Sequence, residues 1–169
     1  ERDGGFLDNS SWTPGYTGIN FMIIRFADVL LMAAEAEVEL GNLEAARTLV
    51  NRVRTRAKNS ALLRANGTPA ANYVVDTYNT AWTDANVARD AVRFERKLEL
   101  GMEGHRFYDL VRWGTVKAEL DFYFALDGSI LQAALGGGAS FTPNKDEFLP
   151  LPQNQIDLMG GRLIQNPGF

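Results

Sequence analysis

Two pairs of glutamates are the residues of this chain whose spacing could support acid–base chemistry. Glu35 and Glu39 lie four residues apart, as do Glu95 and Glu99, so each pair would share one face of a helix. Glycoside hydrolases use two such carboxyl groups, which flank the scissile bond. Four arginines lie close to the second pair in sequence: Arg93, Arg96, Arg106 and Arg112. This mixture favours an ion-pair network over a catalytic pair, and we assign these carboxylates no ligand role.

Other catalytic and metal-binding arrangements lack the residues that they require. His105 is the only histidine and no Gly-x-Ser-x-Gly segment is present, so the sequence does not support a Ser–His–Asp triad. One histidine and no cysteine are too few ligands for zinc, and Asn144 and Asp146 are too few for calcium. The glycines at 136–138 lack the Lys-Ser/Thr of a phosphate-binding loop. The sequence therefore predicts that the protein is not an enzyme and holds no metal or cofactor.

Aromatic residues beside polar side chains are the remaining candidates for ligand contacts. Trp12 and Tyr16 lie in a segment rich in Gly, Asp, Asn and Ser, and Tyr78 and Trp82 lie in a second polar segment. A pyranose ring packs its apolar face on an aromatic side chain, while polar side chains on exposed loops bind its hydroxyls. Each of these aromatic residues could instead pack in the core or cover a helical hairpin, and the sequence leaves both interpretations open.

The bulk composition limits the class of protein. The chain has 169 residues, enough for one domain with a sizeable core. A net charge of -4 and a pI near 5.0 argue against nucleic acid as a partner, which requires a basic surface. No apolar run approaches the roughly 20 residues of a membrane span. Because no signal peptide precedes Glu1 and no initiating Met is present, we expect the back part of a longer polypeptide.

Apolar residues at helical spacing predict a helical hairpin in the first part of the chain. Its first helix runs over 23–40 and its second over about 43–57, with Gly41 ending one and Asn42 capping the other. A connection this short makes the two helices antiparallel neighbours, similar to one tetratricopeptide unit. Residues 58–83 follow as a polar connection.

The second part of the chain is predicted to combine helices with long loops. A third helix is expected over about 84–103 and a fourth over about 105–120. Residues 121–142 indicate a long loop with at most one short helix. Prolines keep 148–152 extended, because a residue that precedes proline avoids the helical region, and 153–158 then form a short helical turn.

Three blocks of sequence resemble the C-terminal region of the SusD/RagB family. The first block is Ile24–Ala36, continued by Val50–Ala57. The second comprises Glu95-Arg96, Glu99-Leu100 and Glu103–Gly114, and the third comprises Phe148–Gln153, Ile156-Asp157 and Gln165–Phe169. The blocks stand in the order found in the family and together span nearly the whole chain.

The resemblance implies a mostly α fold. We expect a SusD-like α-helical domain with a tetratricopeptide-like helical hairpin, long loops and little β-structure. Residues 1–169 would form a C-terminal SusD/RagB-like domain, and the N-terminal half, the signal peptide and the lipidation site of such a protein would lie outside this chain.

The resemblance also implies a function. SusD-like proteins are surface-exposed outer-membrane lipoproteins that capture nutrients, mostly glycans, and deliver them to a SusC-like TonB-dependent transporter. The expected partners are therefore an oligosaccharide and that transporter, with no nucleic acid, and membrane contact only through a lipid anchor that is not in this chain. Because some family ligand contacts come from loops just before the first block, Trp12 and Tyr16 are the preferred ligand-binding residues. The alternative is a helical-repeat adaptor that binds a protein or peptide through the exposed face of 23–57.

Overall fold

The predicted helical hairpin is present in the structure, a computed structural model that describes residues 7–8, 16–17, 23–60, 62–135 and 139–169. Helix α1 spans Phe26–Glu39 and α2 spans Leu43–Asn59. Gly41 ends α1 as predicted, because its positive φ of 81° turns the chain and its N–H donates to Val38 O at 3.0 Å. The sequence therefore specifies this turn locally.

Asn42 holds the hairpin turn in a different way from the one predicted. It occupies the N-cap position of α2, but its side chain makes no capping hydrogen bond to that helix. Its Nδ2 instead donates to Glu37 Oε2, and its backbone N–H donates to Glu37 O, each over 2.8 Å. Asn42 thus ties the start of α2 back to the end of α1.

The third helix, α3, spans Ala85–Glu99 and is shorter than predicted. The side chain of Asp84 caps it by accepting hydrogen bonds from Asn86 N and Val87 N, at 2.7 and 3.2 Å. Extension of this helix to residue 103 is wrong. Leu100 is buried at the C-cap, and Met102 has a φ of 68° and a fully exposed side chain.

The chain divides into two compact units, residues 1–100 and residues 101–169. In the first unit α1, α2 and α3 pack together around one apolar core. Its buried residues are Leu31, Ala34, Val38, Ala46, Val50, Val53, Trp82, Ala88 and Val92. A short antiparallel pair, β1 (Leu7–Asp8) and β2 (Tyr16–Thr17), belongs to the same unit. The predicted mostly α fold with little β-structure is confirmed.

The second unit contains α4 (Arg106–Arg112) and α5 (Val116–Leu135) in place of the predicted single helix over 105–120. Gly114 breaks the helix: its φ is 69°, and its N–H donates to Val111 O at 3.0 Å. The predicted loop over 121–142 is also wrong, because α5 continues to Leu135. Apolar residues occur on every side of α5, so its sequence has no single apolar face for a helical pattern to show.

The end of the chain follows the prediction closely. Helix α6 spans Gln153–Leu158, the predicted helical turn, and 149–152 precede it without regular structure. Gln165 joins the tail to this segment, since its Oε1 accepts from Leu151 N at 2.7 Å and its Nε2 donates to Leu151 O at 3.0 Å. Among the residues described, no helix combines the length and the apolar character needed to span a membrane.

Candidate functional site

The carboxylates of α3 face arginines within the first unit. Glu95 is buried, and its Oε2 accepts a hydrogen bond from Arg54 Nη1 on α2 at 2.6 Å. Glu99 accepts from Arg56 Nη2 at 2.6 Å and also pairs with Arg25, which precedes α1. A glycosidase carboxyl group has to face the scissile bond of its substrate. These two carboxylates instead connect three helices. The predicted ion-pair network is present, but the partners shown are Arg54, Arg56 and Arg25, which are distant in sequence, and not the nearby arginines on which the prediction rested.

A second pair lies deeper in the same helix interface. Arg96 Nη1 on α3 donates to Asp28 Oδ1 on α1 at 2.8 Å, and each residue is only 4 % exposed. The sequence reasoning did not single out Asp28. The sequence could have indicated Asp28, because it is an acidic residue on the same face of α1 as Leu31, and a buried charge requires a partner.

One carboxylate of the pair on α1 also faces an arginine. Glu39 accepts from Arg89 Nε at 2.7 Å and from Arg89 Nη2 at 2.9 Å. This hydrogen bond from Arg89 is the main reason why the pKa of Glu39 lies below its usual value. Glu35 lies one turn earlier and is half-buried. Glu39 therefore joins α1 to α3.

The aromatic candidates of the second polar segment are packed against α2. Trp82 is 8 % exposed, lies in the core, and its ring meets that of Tyr78 edge-on with 5.3 Å between centroids. The Arg54 guanidinium covers the Tyr78 ring at 4.7 Å. Burial raises the pKa of the Tyr78 phenol. Of the two interpretations left open by the sequence, core packing is the correct one for Trp82.

Polar side chains of α2 hold this loop in place. Asn51 Oδ1 accepts from Tyr78 N at 2.8 Å while its Nδ2 donates to Tyr78 O at 3.0 Å, and Arg47 donates to the same carbonyl. Glu44 Oε1 accepts from Trp82 N at 2.9 Å. A loop of irregular backbone can pack on the core because these side chains satisfy its polar groups.

The pKa of Glu44 provides a direct test of the interactions that hold this loop against α2. Its pKa lies below the usual value, first because Arg47 donates hydrogen bonds to the carboxylate and second because Trp82 N does. Replacing Arg47 with Gln should therefore raise the pKa of Glu44 towards its ordinary value, as measured by an NMR pH titration of the Glu44 side chain. Replacing Lys97, an exposed cation on α3, with Gln serves as the control and should leave that pKa in place. An unchanged pKa in the Arg47 variant would contradict the assigned cause.

A shallow polar groove of about 550 Å³ follows the outer side of α2. The residues that line it, named here the α2 groove, are Arg47, Thr48, Asn51, Arg52, Thr55, Arg56 and Asn59. These side chains supply guanidinium, hydroxyl and amide groups, and none of them is a carboxylate. The sequence reasoning missed this groove, although polar residues at positions 48, 52, 55 and 59 fall on one helix face.

The structure does not test the two residues preferred from the sequence. Trp12 lies outside the described residues. Tyr16 is the first residue of β2 and pairs with Asp8 of β1, which fixes its backbone, whereas its side chain lies outside the description. The assignment of both residues to ligand binding stays a prediction.

The second unit contains its own aromatic and charged cluster. The Trp113 ring lies 4.9 Å from the guanidinium carbon of Arg112 and 5.7 Å from that of Arg106. Arg112 also donates to Asp109 Oδ1 at 2.9 Å. Trp113 packs with Leu110 in the apolar core of this unit. These contacts explain why the run from 103 to 114 is dense in aromatic and charged residues.

Several of the contacts described so far, such as those of Arg25, Arg54 and Glu95, use residues of the three sequence blocks, and comparison with known families gives a consistent result. The profile of the SusD family matches residues 3–169, which is nearly the entire chain. The chain belongs to the SusD family.

SusD-like relatives from Formosa agariphila are much longer than this chain. SusD-like protein P25 of Formosa agariphila is 37% identical over 109 residues, which cover 62% of this chain and 18% of the relative. SusD-like protein P2 of the same organism is 30% identical over 152 residues, covering 89% of this chain and 26% of the relative. The chain therefore spans about a fifth to a quarter of the length of these SusD-like relatives.

A solved structure agrees with the SusD fold. The crystal structure of a SusD-like protein from Bacteroides fragilis NCTC 9343 aligns with 96% of this chain and 29% of its own, with a TM-score of 0.53 and 22% sequence identity. At this level of identity the comparison concerns the fold alone. It supports the arrangement of helices described above for a SusD-family chain.

Proposed function

We propose that this chain is the C-terminal part of a SusD-like lipoprotein that captures an oligosaccharide at the outer surface of the outer membrane. Delivery to a SusC-like TonB-dependent transporter completes the proposed role. The observation that carries the proposal is membership of the SusD family over residues 3–169. The chain acts by binding and performs no catalysis, since its paired carboxylates are engaged with arginines in helix packing.

Trp12 and Tyr16 form the proposed sugar platform. Tyr16 begins β2, and its pairing with Asp8 places an acidic residue of β1 at the same register position. A stacking aromatic ring beside hydrogen-bonding side chains is the arrangement that a pyranose requires. The proposed binding therefore depends on ring stacking and on hydrogen bonds to hydroxyls, with no metal.

Replacing Trp12 and Tyr16 with Ala tests this platform. A glycan array with the wild-type chain first identifies the oligosaccharide, and isothermal titration then measures its affinity. Each substitution should weaken binding by about tenfold, because one stacked aromatic ring contributes on the order of 1 kcal/mol beyond the area that it buries. Tyr108→Ala is the matched control, since Tyr108 is 73% exposed on α4, in the other unit, and its removal should leave the affinity unchanged.

Two outcomes would contradict the proposal. Wild-type affinity in a variant that carries both Trp12→Ala and Tyr16→Ala would contradict the platform but not oligosaccharide capture. Failure of the array to show any glycan would contradict capture itself.

A helical-repeat adaptor is the second candidate, and one feature of α1 favours it. Beside its buried face, α1 exposes a second apolar stripe to solvent at helical spacing, which includes Phe26, Val29, Ala33, Ala36 and, just beyond the helix, Leu40. An adaptor would bind a protein or peptide along this stripe. Polar substitutions such as Val29→Asp would then abolish binding of that partner, whereas sugar capture predicts unchanged glycan affinity in the same variant.

A further inference from the structure

The α2 groove presents guanidinium, hydroxyl and amide groups, and none of its residues belongs to the proposed sugar platform. Basic residues dominate α2: Arg47, Arg52, Arg54, Arg56 and Lys58 stand against a single acidic residue, Glu44. The chain as a whole carries a net charge of -4. Arg47, Arg54, Arg56 and Lys58 each pair with a carboxylate among the described residues, and Arg52 differs from them in this respect.

Arg52 lies at the centre of the α2 groove and is held in position by an aromatic ring. Its guanidinium carbon lies 5.6 Å from the centroid of the Phe26 ring, and Phe26 is itself 64% exposed. Within the described part of the chain, Arg52 forms no ion pair, unlike Arg47 with Glu44 and Arg56 with Glu99. Stacking holds the planar fork of the guanidinium and leaves its donors available to an anion.

The residues beside Arg52 add neutral hydrogen-bonding groups along a line. Thr48, Arg52, Thr55 and Asn59 lie four, three and four residues apart, all exposed, so they form one straight stripe on α2. At 1.5 Å per residue the stripe is roughly 16 Å long, which suits a short oligosaccharide. The hydroxyl and amide groups can bind sugar hydroxyls on either side of the arginine.

The same groove does not suit a neutral glycan. A neutral pyranose needs an aromatic face to stack on, and no aromatic side chain is part of the groove lining. The nearby Phe26 ring lies against Arg52. A carboxylate or sulfate group, in contrast, fits a guanidinium fork through two parallel hydrogen bonds.

We propose that the α2 groove binds the acidic groups of an anionic oligosaccharide, with Arg52 as the anion-binding residue. This inference rests on the proposed function, which it deepens by assigning the ligand to glycans that carry carboxylate or sulfate groups. The α2 groove then acts as a specificity-determining subsite in addition to the Trp12 and Tyr16 platform.

Paired ligands test the inference by isothermal titration into the intact chain. Tetragalacturonate is compared with its methyl ester, which has the same backbone without the charges, and a sulfated galactan tetrasaccharide distinguishes sulfate from carboxylate. At least one anionic ligand should bind about tenfold more tightly than the ester, because hydrogen bonds to charged groups are stronger than neutral ones. Its affinity should fall when NaCl is raised from about 0.05 M to about 0.5 M.

Substitution of Arg52 locates the effect. Arg52→Gln should weaken binding of the anionic ligand by about tenfold and leave binding of the ester unchanged. Lys97→Gln removes the same charge from an exposed position on α3 and should have no effect. Circular dichroism should show an unchanged fold in both variants, because both side chains lie at the surface.

Four results would overturn the inference. Equal affinity for the acid and its ester, or an Arg52 variant that binds like wild type, would remove the anionic subsite while neutral-glycan capture stands. A poly-glutamate peptide bound as tightly as the anionic sugars would assign the groove to acidic proteins. Absence of binding by every oligosaccharide would contradict the proposed function together with the inference.

Discussion

Replacing Trp82 with Ala should lower the free energy of unfolding by about 3–5 kcal/mol, because removal of a buried indole leaves a cavity in the core. Trp82 is 8 % exposed and packs in the core cluster formed by α1, α2 and α3. The measurement is urea unfolding followed by circular dichroism. Loss of the ring also removes the edge-on contact with Tyr78, so the loop that ends at α3 should be destabilised as well.

Phe122→Ala is the control for the Trp82 variant. Phe122 is 68% exposed on α5, so its truncation should change the free energy of unfolding by no more than about 0.5 kcal/mol. A loss of less than about 1 kcal/mol in the Trp82 variant would show that the indole is not a core residue. It would then return Trp82 to the set of candidate ligand contacts.

Replacing Asp28 with Asn should cost about 3 kcal/mol or more, because the substitution removes a buried counter-charge of Arg96. The two side chains meet at 2.8 Å in the interface of α1 and α3, where each residue is 4 % exposed. Asn preserves the size of the side chain, so the change reports on charge rather than on packing. The same unfolding measurement applies.

Asp76→Asn is the matched control for the Asp28 variant. Asp76 pairs with Lys58 at 3.0 Å, but the two side chains are 65% and 53% exposed. Solvent screens such a pair, so its loss should cost far less stability than the loss of the Asp28 pair. Equal losses in the two variants would contradict the conclusion that burial makes the Asp28 pair important.

Local sequence signals explain which parts of the fold could be predicted. Gly41 ends α1 and Asp84 caps α3 through interactions with residues only a few positions away, so the sequence contains them. The break at Gly114 depends on the same kind of local geometry, yet aromatic and apolar residues on both sides of it resembled one continuous helix. The length of α5 was not predictable from periodicity, because apolar residues lie on all its faces.

Contacts between distant residues explain what the sequence could not show. Asp28 and Arg96 are 68 residues apart, and Asn51 meets the backbone of Tyr78 across 27 residues. No local pattern indicates that Trp82 is buried. Its burial depends on hydrogen bonds between side chains of α2 and the loop that contains Tyr78 and Trp82. The α2 groove was missed since its polar face is also what an ordinary solvated helix presents.

The family could be identified from the sequence because its signature residues have structural roles. Glu95 and Glu99 connect α1, α2 and α3, and Gly114 ends α4. Gln165 joins the tail to Leu151 by hydrogen bonds. These interactions hold elements of the fold together. The signature therefore predicts the fold well and contains no information about the sugar.

Saturation-transfer NMR with an oligosaccharide selected by the glycan array tests the central claim most directly. The chain should transfer magnetisation to the sugar ring protons, and the spectrum of the oligosaccharide should stay unchanged over a day of incubation. Binding without cleavage is what a capture protein shows when its carboxylates are engaged in ion pairs. Cleavage products that disappear in a Glu95→Gln or Glu99→Gln variant, or no transfer to any sugar, would contradict the account.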